Sequence, residues 1–143
     1  MRTILFASLL ALAATACTKS TDKTDKVVET TTAAAAVPTV TVDEVDQKLA
    51  SGECQAVDAN GDATRKKMGV VPGAVLLTDS ESFKLSELPA DKSKSLVFYC
   101  ANTSCGASHH AAEKALTAGY TNVKVMPEGI AGWVKAGKKT TSI

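Results

Sequence analysis

The sequence predicts a single α/β domain with a mostly parallel central sheet and helices on both faces. Short apolar runs rich in β-branched residues alternate with segments whose apolar residues recur at helical spacing, which is typical of strand–helix–strand units. The 143 residues are enough for one such domain. The formal net charge is +1, so we expect no nucleic-acid partner.

The N-terminal half of the domain is predicted to hold a helix, a strand and a short second helix. Thr41 followed by Glu44 is a capping-box pattern that begins the first helix, and Ser51-Gly52 ends it. A strand over residues 54–57 and a charged helix over residues 62–68 follow, joined by a polar turn.

The C-terminal half contains the most apolar strand of the chain. The predicted elements, in order, are a loop fixed by proline and glycine at 69–74, a strand at 75–77, one helical turn at 86–88, a strand at 96–99, a helix from 107 to a glycine cap at 119, a strand at 121–126, and a last helix from 129 to 137.

Cys100 closes the most apolar strand and precedes a loop of small and polar residues, Ala101–Gly106, that leads into a helix. Sites in parallel sheets lie at the C-terminal ends of strands, and Asp58 occupies such an end too. Loop amides and the helix N-terminus point N–H groups at one spot, so we expect a lowered pKa for Cys100. Its thiolate would be a nucleophile. A buried, inert cysteine is the alternative.

The first residues resemble an export signal. Arg2, an apolar stretch over residues 4–14 and a small-residue cleavage site precede Cys17, as in a bacterial lipoprotein signal whose cysteine is lipidated. We expect residues 1–16 to be removed and Cys17 to anchor the protein to a membrane, facing the periplasm or cell surface. An ordinary secretory signal is the alternative. Residues 17–38, rich in Thr, Ala, Lys and Asp, predict a disordered tether to a domain over residues 39–143.

Three groups of residues together resemble the rhodanese family. Val57-Asp58 followed by the Gly-Val-Val-Pro-Gly-Ala run at 69–74 resembles its first motif, and Phe98-Tyr99-Cys100 resembles its active-site strand. The Glu-Gly-Ile-Ala-Gly-Trp run at 128–133 resembles its closing signature. The resemblance covers residues 39–139, and its strength lies in the order and spacing of these groups.

The resemblance implies a sulfurtransferase. In that family a Cys thiolate takes a sulfane sulfur from a small donor such as thiosulfate, becomes a persulfide, and passes the sulfur to a thiol acceptor. By position Cys100 is the nucleophile, and Asp58 and Ser108 have supporting roles, with Asp58 expected to bond loop amides and hold the cradle. We expect a monomer without cofactor or metal. The implied substrate-binding loop consists of Ala101, Asn102, Thr103, Ser104, Cys105 and Gly106.

The loop departs from the common rhodanese pattern. Rhodaneses usually have a shorter loop with a basic residue near its end, whereas here Cys105 stands in that region and the first Lys or Arg after Cys100 is Lys114. This Cys-x4-Cys form, followed by Ser108, resembles a variant seen among rhodanese-like proteins. It weakens the expectation that thiosulfate, a dianion, is the donor.

The first motif also departs from the family pattern. Asn60 stands where an Arg is often found two residues after the Asp, and Val70 replaces the usual His. Arg65 lies nearby in sequence, and we interpret it as a solvated surface charge rather than a replacement. Cys54 and Trp133 are predicted to be core residues.

A thiol redox switch is the main alternative function. Cys105 is near enough in sequence to pair with Cys100 or to resolve an oxidised or persulfidated Cys100, and the opposite interpretation is that Cys105 packs inward as a small apolar residue. A non-catalytic rhodanese-like binding module is the third alternative, although such modules usually lack the cysteine.

Two further classes are disfavoured. A cysteine-based phosphatase of this fold type would need Arg six residues after the nucleophile, and residue 106 is Gly. A metal site built from Cys100, Cys105, His109 and His110 would match no common zinc spacing, and we expect both histidines to lie on a solvated helix face.

Overall fold

The computed structural model describes residues 36–143. The predicted signal, Cys17 and most of the predicted tether lie outside these residues. None of the helices within 36–143 is long and apolar enough to cross a membrane. The elements are α1 (Val42–Ala50), β1 (Gln55–Asp58), α2 (Asp62–Met68), β2 (Val75–Leu76), a 3-10 turn (Leu85–Glu87), β3 (Leu96–Tyr99), α3 (Ala107–Thr117), β4 (Val123–Met126) and α4 (Gly129–Lys135). The predicted type of each element is confirmed, with small differences at the ends.

The four strands form one parallel sheet in the order β2-β1-β3-β4. Asp58 at the end of β1 lies beside Tyr99 at the end of β3, so Cys100 follows directly on a pair of polar strand ends. Residues before α1 extend the sheet, since the Val125 N–H donates to the Pro38 carbonyl over 2.9 Å and Val37 is buried. The ordered domain therefore includes two residues that the sequence assigned to the tether.

Helices cover both faces of the sheet, as predicted. Successive side chains of a strand point to opposite faces. Leu96 and Phe98 belong to the core cluster that contains the buried alanines of α3. Val97 and Tyr99 belong to the second cluster, which contains the apolar residues of α1 and α4. β3 is buried along its whole length, which explains its continuous apolar sequence.

The predicted capping box begins α1. The Glu44 N–H donates to Thr41 Oγ1 over 3.4 Å, and the Thr41 N–H donates to the Glu44 carboxylate over 2.9 Å. The hydrogen bonds that the Thr41 N–H and hydroxyl donate to the Glu44 carboxylate lower the pKa of Glu44. Because two N–H groups without helical partners are satisfied together, this short helix has a defined start beside the sheet.

Arg65 is buried, so the expectation of a solvated surface charge is wrong. Its side chain is 6% exposed. Nε donates to Asp58 Oδ1 over 3.3 Å, and Nη2 donates to the carbonyls of Asp58 and Leu77 over 3.1 and 2.8 Å. The ends of β1 and β2 leave these acceptors beside α2, and a guanidinium can donate to all of them at once.

Tyr99 completes this buried polar network. Its hydroxyl donates to Asp58 Oδ2 over 2.6 Å and accepts a hydrogen bond from the Val71 N–H over 3.0 Å. Burial and the neighbouring Asp58 carboxylate raise the pKa of Tyr99, so the hydroxyl keeps its proton and remains a donor. The network ties β1, β3 and the loop over residues 69–74 together, one residue before Cys100.

We predict that Arg65→Met lowers the free energy of unfolding by about 3–5 kcal/mol, because it leaves the Asp58 carboxylate buried without its charged partner. Lys66→Met, at the exposed neighbouring position of α2, is the matched control and is expected to change it by less than about 0.5 kcal/mol. Equilibrium unfolding in urea measures both. Equal midpoints for the two variants would show that the Arg65 network contributes no stability.

Candidate functional site

Cys100 lies where β3, the following loop and the first turn of α4 meet. It is 1% exposed. The backbone N–H groups of Ile130 and Ala131 donate to the carbonyls of Cys100 and Ala101 over 2.8 and 3.0 Å. Two N–H groups that have no partner within α4 are thereby satisfied, and the chain direction just after Cys100 is fixed.

Gly129 makes this contact possible. Its φ is +61°, and a Cβ at this position would lie 2.5 Å from the Cys100 carbonyl oxygen and 2.7 Å from the Ala101 carbonyl carbon. Any side chain here would push into the backbone of the loop, since real Cβ atoms do not approach other atoms so closely. The Glu-Gly-Ile run of the closing signature therefore acts on the cysteine loop by close backbone packing.

Asn102 holds the loop in a tight turn. Its carbonyl accepts from the Cys105 N–H over 3.0 Å, and its side-chain Oδ1 accepts from the Ser104 N–H over 3.0 Å. Asn side chains commonly stabilise turns in this way. Asn102, Thr103 and Ser104 are exposed, whereas Cys105 is half-buried, so the turn carries the second cysteine back toward the first.

The sulfur of Cys100 has two polar contacts. Its thiol donates to the Cys105 carbonyl over 3.0 Å, and the buried Ser108 Oγ donates to it over 3.2 Å. Burial and the neighbouring Cys105 thiol raise the pKa of Cys100, and the hydroxyl and N–H of Ser108 lower it less. The expected lowering is wrong, because desolvation of the thiolate outweighs the donors around it.

Cys105 is the more acidic thiol of the pair. Burial by itself raises the pKa of Cys105, but hydrogen bonds from the Cys100 thiol and from the backbone N–H groups of Ala101 and Ala107 outweigh it, so its pKa is lowered. Amides at the start of the loop and of α3 thus point toward Cys105. The sequence predicted such a cradle but assigned it to the other sulfur.

Of the two predicted supporting residues, one contacts the cysteine pair and the other does not. Ser108 contacts the Cys100 sulfur, and its supporting role stays a prediction. Asp58 does not bond amides of the cysteine loop as expected, because its oxygens are taken by the Asn60 N–H, Arg65 and the Tyr99 hydroxyl. Its influence on the loop passes through Tyr99, the residue before Cys100.

Other side chains near the loop are peripheral. His110 is exposed, with Nδ1 3.9 Å from a Glu81 carboxylate oxygen, and His109 is half-buried. Among residues 36–143 no group of three or more His, Cys, Asp or Glu side chains is placed to hold a metal ion. Cys54 is buried in the core, as predicted, and burial raises its pKa. The cysteines of this part of the chain are all free thiols.

The model of the rhodanese-like domain family matches residues 41–136, and the chain belongs to this family. The matched residues include every strand of the sheet and the helices α1 to α4. Comparison with curated proteins gives no match.

Several solved structures share the fold. A rhodanese-like domain from Anabaena is 21% identical, with a TM-score of 0.62 over 74% of this chain and 80% of that one. A thiosulfate sulfurtransferase from Pseudomonas aeruginosa is 23% identical, with a TM-score of 0.62 over 74% of this chain and 20% of that one. A human single-domain sulfurtransferase is 21% identical, with a TM-score of 0.55 over 69% of this chain and 96% of that one.

The sequence analysis missed three residues that shape the site. Tyr99 was assigned only to a buried strand, although a buried hydroxyl needs a partner and so indicates a polar network. Arg65 was misplaced because a basic residue on a short charged helix is usually solvated. Gly129 was recognised only as part of the closing signature, and a glycine at a helix start gives no signal of what packs against it.

We predict that Gly129→Ala disturbs the cysteine loop far more than Gly137→Ala does. Gly137 also has a positive φ, +73°, but open space around its would-be Cβ, so its substitution adds only backbone strain of about 1–3 kcal/mol. Gly129→Ala adds a backbone collision and is expected to cost about 1–3 kcal/mol more.

The measurements are the unfolding midpoint and the rate at which a disulfide reagent modifies the thiols of the folded protein. Gly129→Ala is expected to change both, and Gly137→Ala the midpoint alone. If the two variants behave alike, the contact between Gly129 and the Cys100 carbonyl does not position the loop.

Proposed function

We propose that this protein is a sulfurtransferase in which Cys100 takes a sulfane sulfur from a small donor and passes it to a thiol acceptor. The observation that carries the proposal is the setting of the Cys100 sulfur. It lies at the carboxyl end of β3, with Ser108 Oγ donating to it over 3.2 Å, in a rhodanese-like domain. Structures described as sulfurtransferases share the fold, which supports the same reaction class here.

The proposed reaction has two displacements. The Cys100 thiol loses its proton and its sulfur attacks the sulfane sulfur of the donor. The donor's bond to that sulfur breaks, and the remainder of the donor leaves with the electron pair and takes up the proton. The sulfur is then held as a persulfide on Cys100 until an acceptor thiolate attacks its outer atom and regenerates the Cys100 thiolate. Backbone N–H groups at Ala101 and Ala107, which already lower the pKa of one sulfur, are suited to stabilise an anionic outer sulfur.

The charges around the loop favour donors with little negative charge. Between Cys100 and Lys114 the sequence contains no Lys or Arg. The Lys114 ammonium itself donates to the carbonyls of Glu81 and Phe83, both over 2.8 Å. A thiosulfate dianion would therefore meet amide dipoles without a cationic side chain. We propose hydropolysulfides and low-molecular-weight persulfides as better donors than thiosulfate.

A thiol redox switch is the second candidate, because the hydrogen bond from the Cys100 thiol to the Cys105 carbonyl brings the two cysteines into contact. A switch would cycle between dithiol and disulfide without taking up sulfur. Sulfur uptake by the reduced protein therefore separates the two functions. The absence of uptake would also fit a non-catalytic binding module.

We further propose that the protein acts outside the cytoplasm, held to a membrane by lipid on Cys17. This rests on the sequence of residues 1–17, which lie outside the described part of the chain. The proposed partners are a small sulfur donor and a thiol acceptor, and the working unit is a monomer.

The test of the proposed function uses the Cys105→Ser variant, so that only one thiol of the pair remains. After reduction, removal of the reductant and treatment with hydropolysulfide, we expect intact mass spectrometry to show one added sulfur atom that maps to Cys100. The double variant Cys100→Ser with Cys105→Ser is expected to gain none.

Cys54→Ala in the Cys105→Ser background is the matched control, since it removes a buried thiol of the core and is expected to load normally. Failure of Cys105→Ser to take up sulfur at Cys100, with its fold intact by circular dichroism, would refute the sulfurtransferase proposal.

A further inference from the structure

We propose that Cys105 is a second catalytic thiol, which attacks the persulfide on Cys100, releases hydrosulfide and leaves a Cys100–Cys105 disulfide. The inference rests on the proposed persulfide chemistry of Cys100 and adds an outcome that sulfur transfer alone does not have. The domain would discharge its sulfane sulfur internally, without an external acceptor thiol.

The two cysteines are already in contact in the reduced protein. The Cys100 thiol donates to the Cys105 carbonyl over 3.0 Å, so its sulfur lies against the backbone of the residue that carries the second thiol. The turn at Asn102 and the contact with α4 keep the intervening residues in place. An intramolecular attack therefore benefits from a high effective concentration of the second thiol.

The hydrogen bonds also favour the loss of a proton from Cys105 before Cys100, and the proposed attack requires a thiolate at Cys105. N–H groups of Ala101 and Ala107 stabilise a negative charge on Cys105, whereas the Cys100 thiol keeps its proton and donates it. The attacking species in thiol–disulfide chemistry is the thiolate. After Cys100 has been converted to a persulfide, the N–H groups of Ala101 and Ala107 still lower the pKa of Cys105, and its thiolate is the nucleophile beside the persulfide.

Cys105 can attack either sulfur of the persulfide, and the leaving groups decide between them. Attack on the outer sulfur would expel the Cys100 thiolate, whose pKa is raised by burial. Attack on the inner sulfur expels hydrosulfide, a weaker base that can leave to solvent. Displacement favours the leaving group of lower pKa, so the inner sulfur is the preferred target.

Atoms and electrons balance in this step. A bond forms between the sulfurs of Cys105 and Cys100, and the bond between Cys100 and the outer sulfur breaks, with its electron pair going to the outer sulfur. The two cysteine sulfurs are oxidised to a disulfide and the sulfane sulfur is reduced to hydrosulfide. The oxidising equivalent arrives with the donor, so no other oxidant is needed. A dithiol reductant restores the starting state.

The test follows sulfide release and protein mass together, with the reduced full-length chain, a limited amount of hydropolysulfide and no added thiol. Treated protein is separated rapidly from the donor before measurement. For the wild-type chain we expect about one sulfide released per chain after this separation, together with a loss of two hydrogens that maps to Cys100 and Cys105. We expect Cys105→Ser to keep its added sulfur and release at least ten times less sulfide. Cys54→Ala is the control and is expected to behave like the wild type.

Two results would overturn the inference while leaving the proposed function in place. One is a wild-type chain that keeps its sulfur on Cys100 as long as Cys105→Ser does. The other is sulfide release from Cys105→Ser at the wild-type rate. If instead Cys105→Ser takes up no sulfur at Cys100, the persulfide itself is refuted and the inference falls with it.

Discussion

The carbonyls of Cys100 and Ala101 are held by backbone N–H groups in the first turn of α4, and the arrangement of both thiols depends on this contact. It holds the two residues that follow β3 against the start of α4. The loop then has to return toward the sheet to begin α3, and on its way it brings Cys105 against Cys100. The close approach of Gly129 shows that the last helix is as much a part of the site as the cysteine strand.

A polar network supports the same strand at the residue before Cys100. The network lies at the carboxyl ends of β1 and β3, where Asp58 accepts hydrogen bonds from Arg65 and from the Tyr99 hydroxyl. Apolar side chains at this place would leave the carbonyls at the strand ends without hydrogen-bond donors. The network fixes the residue before Cys100, and α4 fixes the residue after it. Cys100 is therefore held on both sides, in surroundings that raise its pKa, while Cys105 lies on the loop where amides can reach it.

Much of the fold could be predicted from the sequence, because its signals are local. The capping box at Thr41, the continuous apolar strand before Cys100 and the glycines at helix ends each depend on a few adjacent residues. The resemblance to the rhodanese family joined these elements into one rhodanese-like domain. The position of Cys100 at a strand end followed from the same local pattern.

The electrostatics of the site could not be predicted in this way. Whether a thiol beside a helix start is acidic depends on how deeply it is buried and on which sulfur the amides face, and both are set by contacts between distant segments. The same holds for Arg65, whose charge on a short helix is typical of a solvated surface, although in the fold it donates to the carbonyl of Leu77, just after β2. A spacing of five residues showed that Cys105 is close to Cys100, but not which of the two carries the proton.

The central claim is that the two thiols share one site in which Cys105 loses its proton before Cys100 does. The most direct measurement is a pH titration by nuclear magnetic resonance of the reduced protein with isotope-labelled cysteine Cβ atoms. Because the titrations of the two thiols are coupled, the first deprotonation step belongs to the pair and not to one residue. The chemical-shift change at each Cβ shows which of the two cysteines loses the proton in that step. The account predicts that the first step mainly moves the Cys105 signal, below the pH range of an ordinary thiol, and that Cys100 follows at higher pH. A first step centred on Cys100 would contradict it.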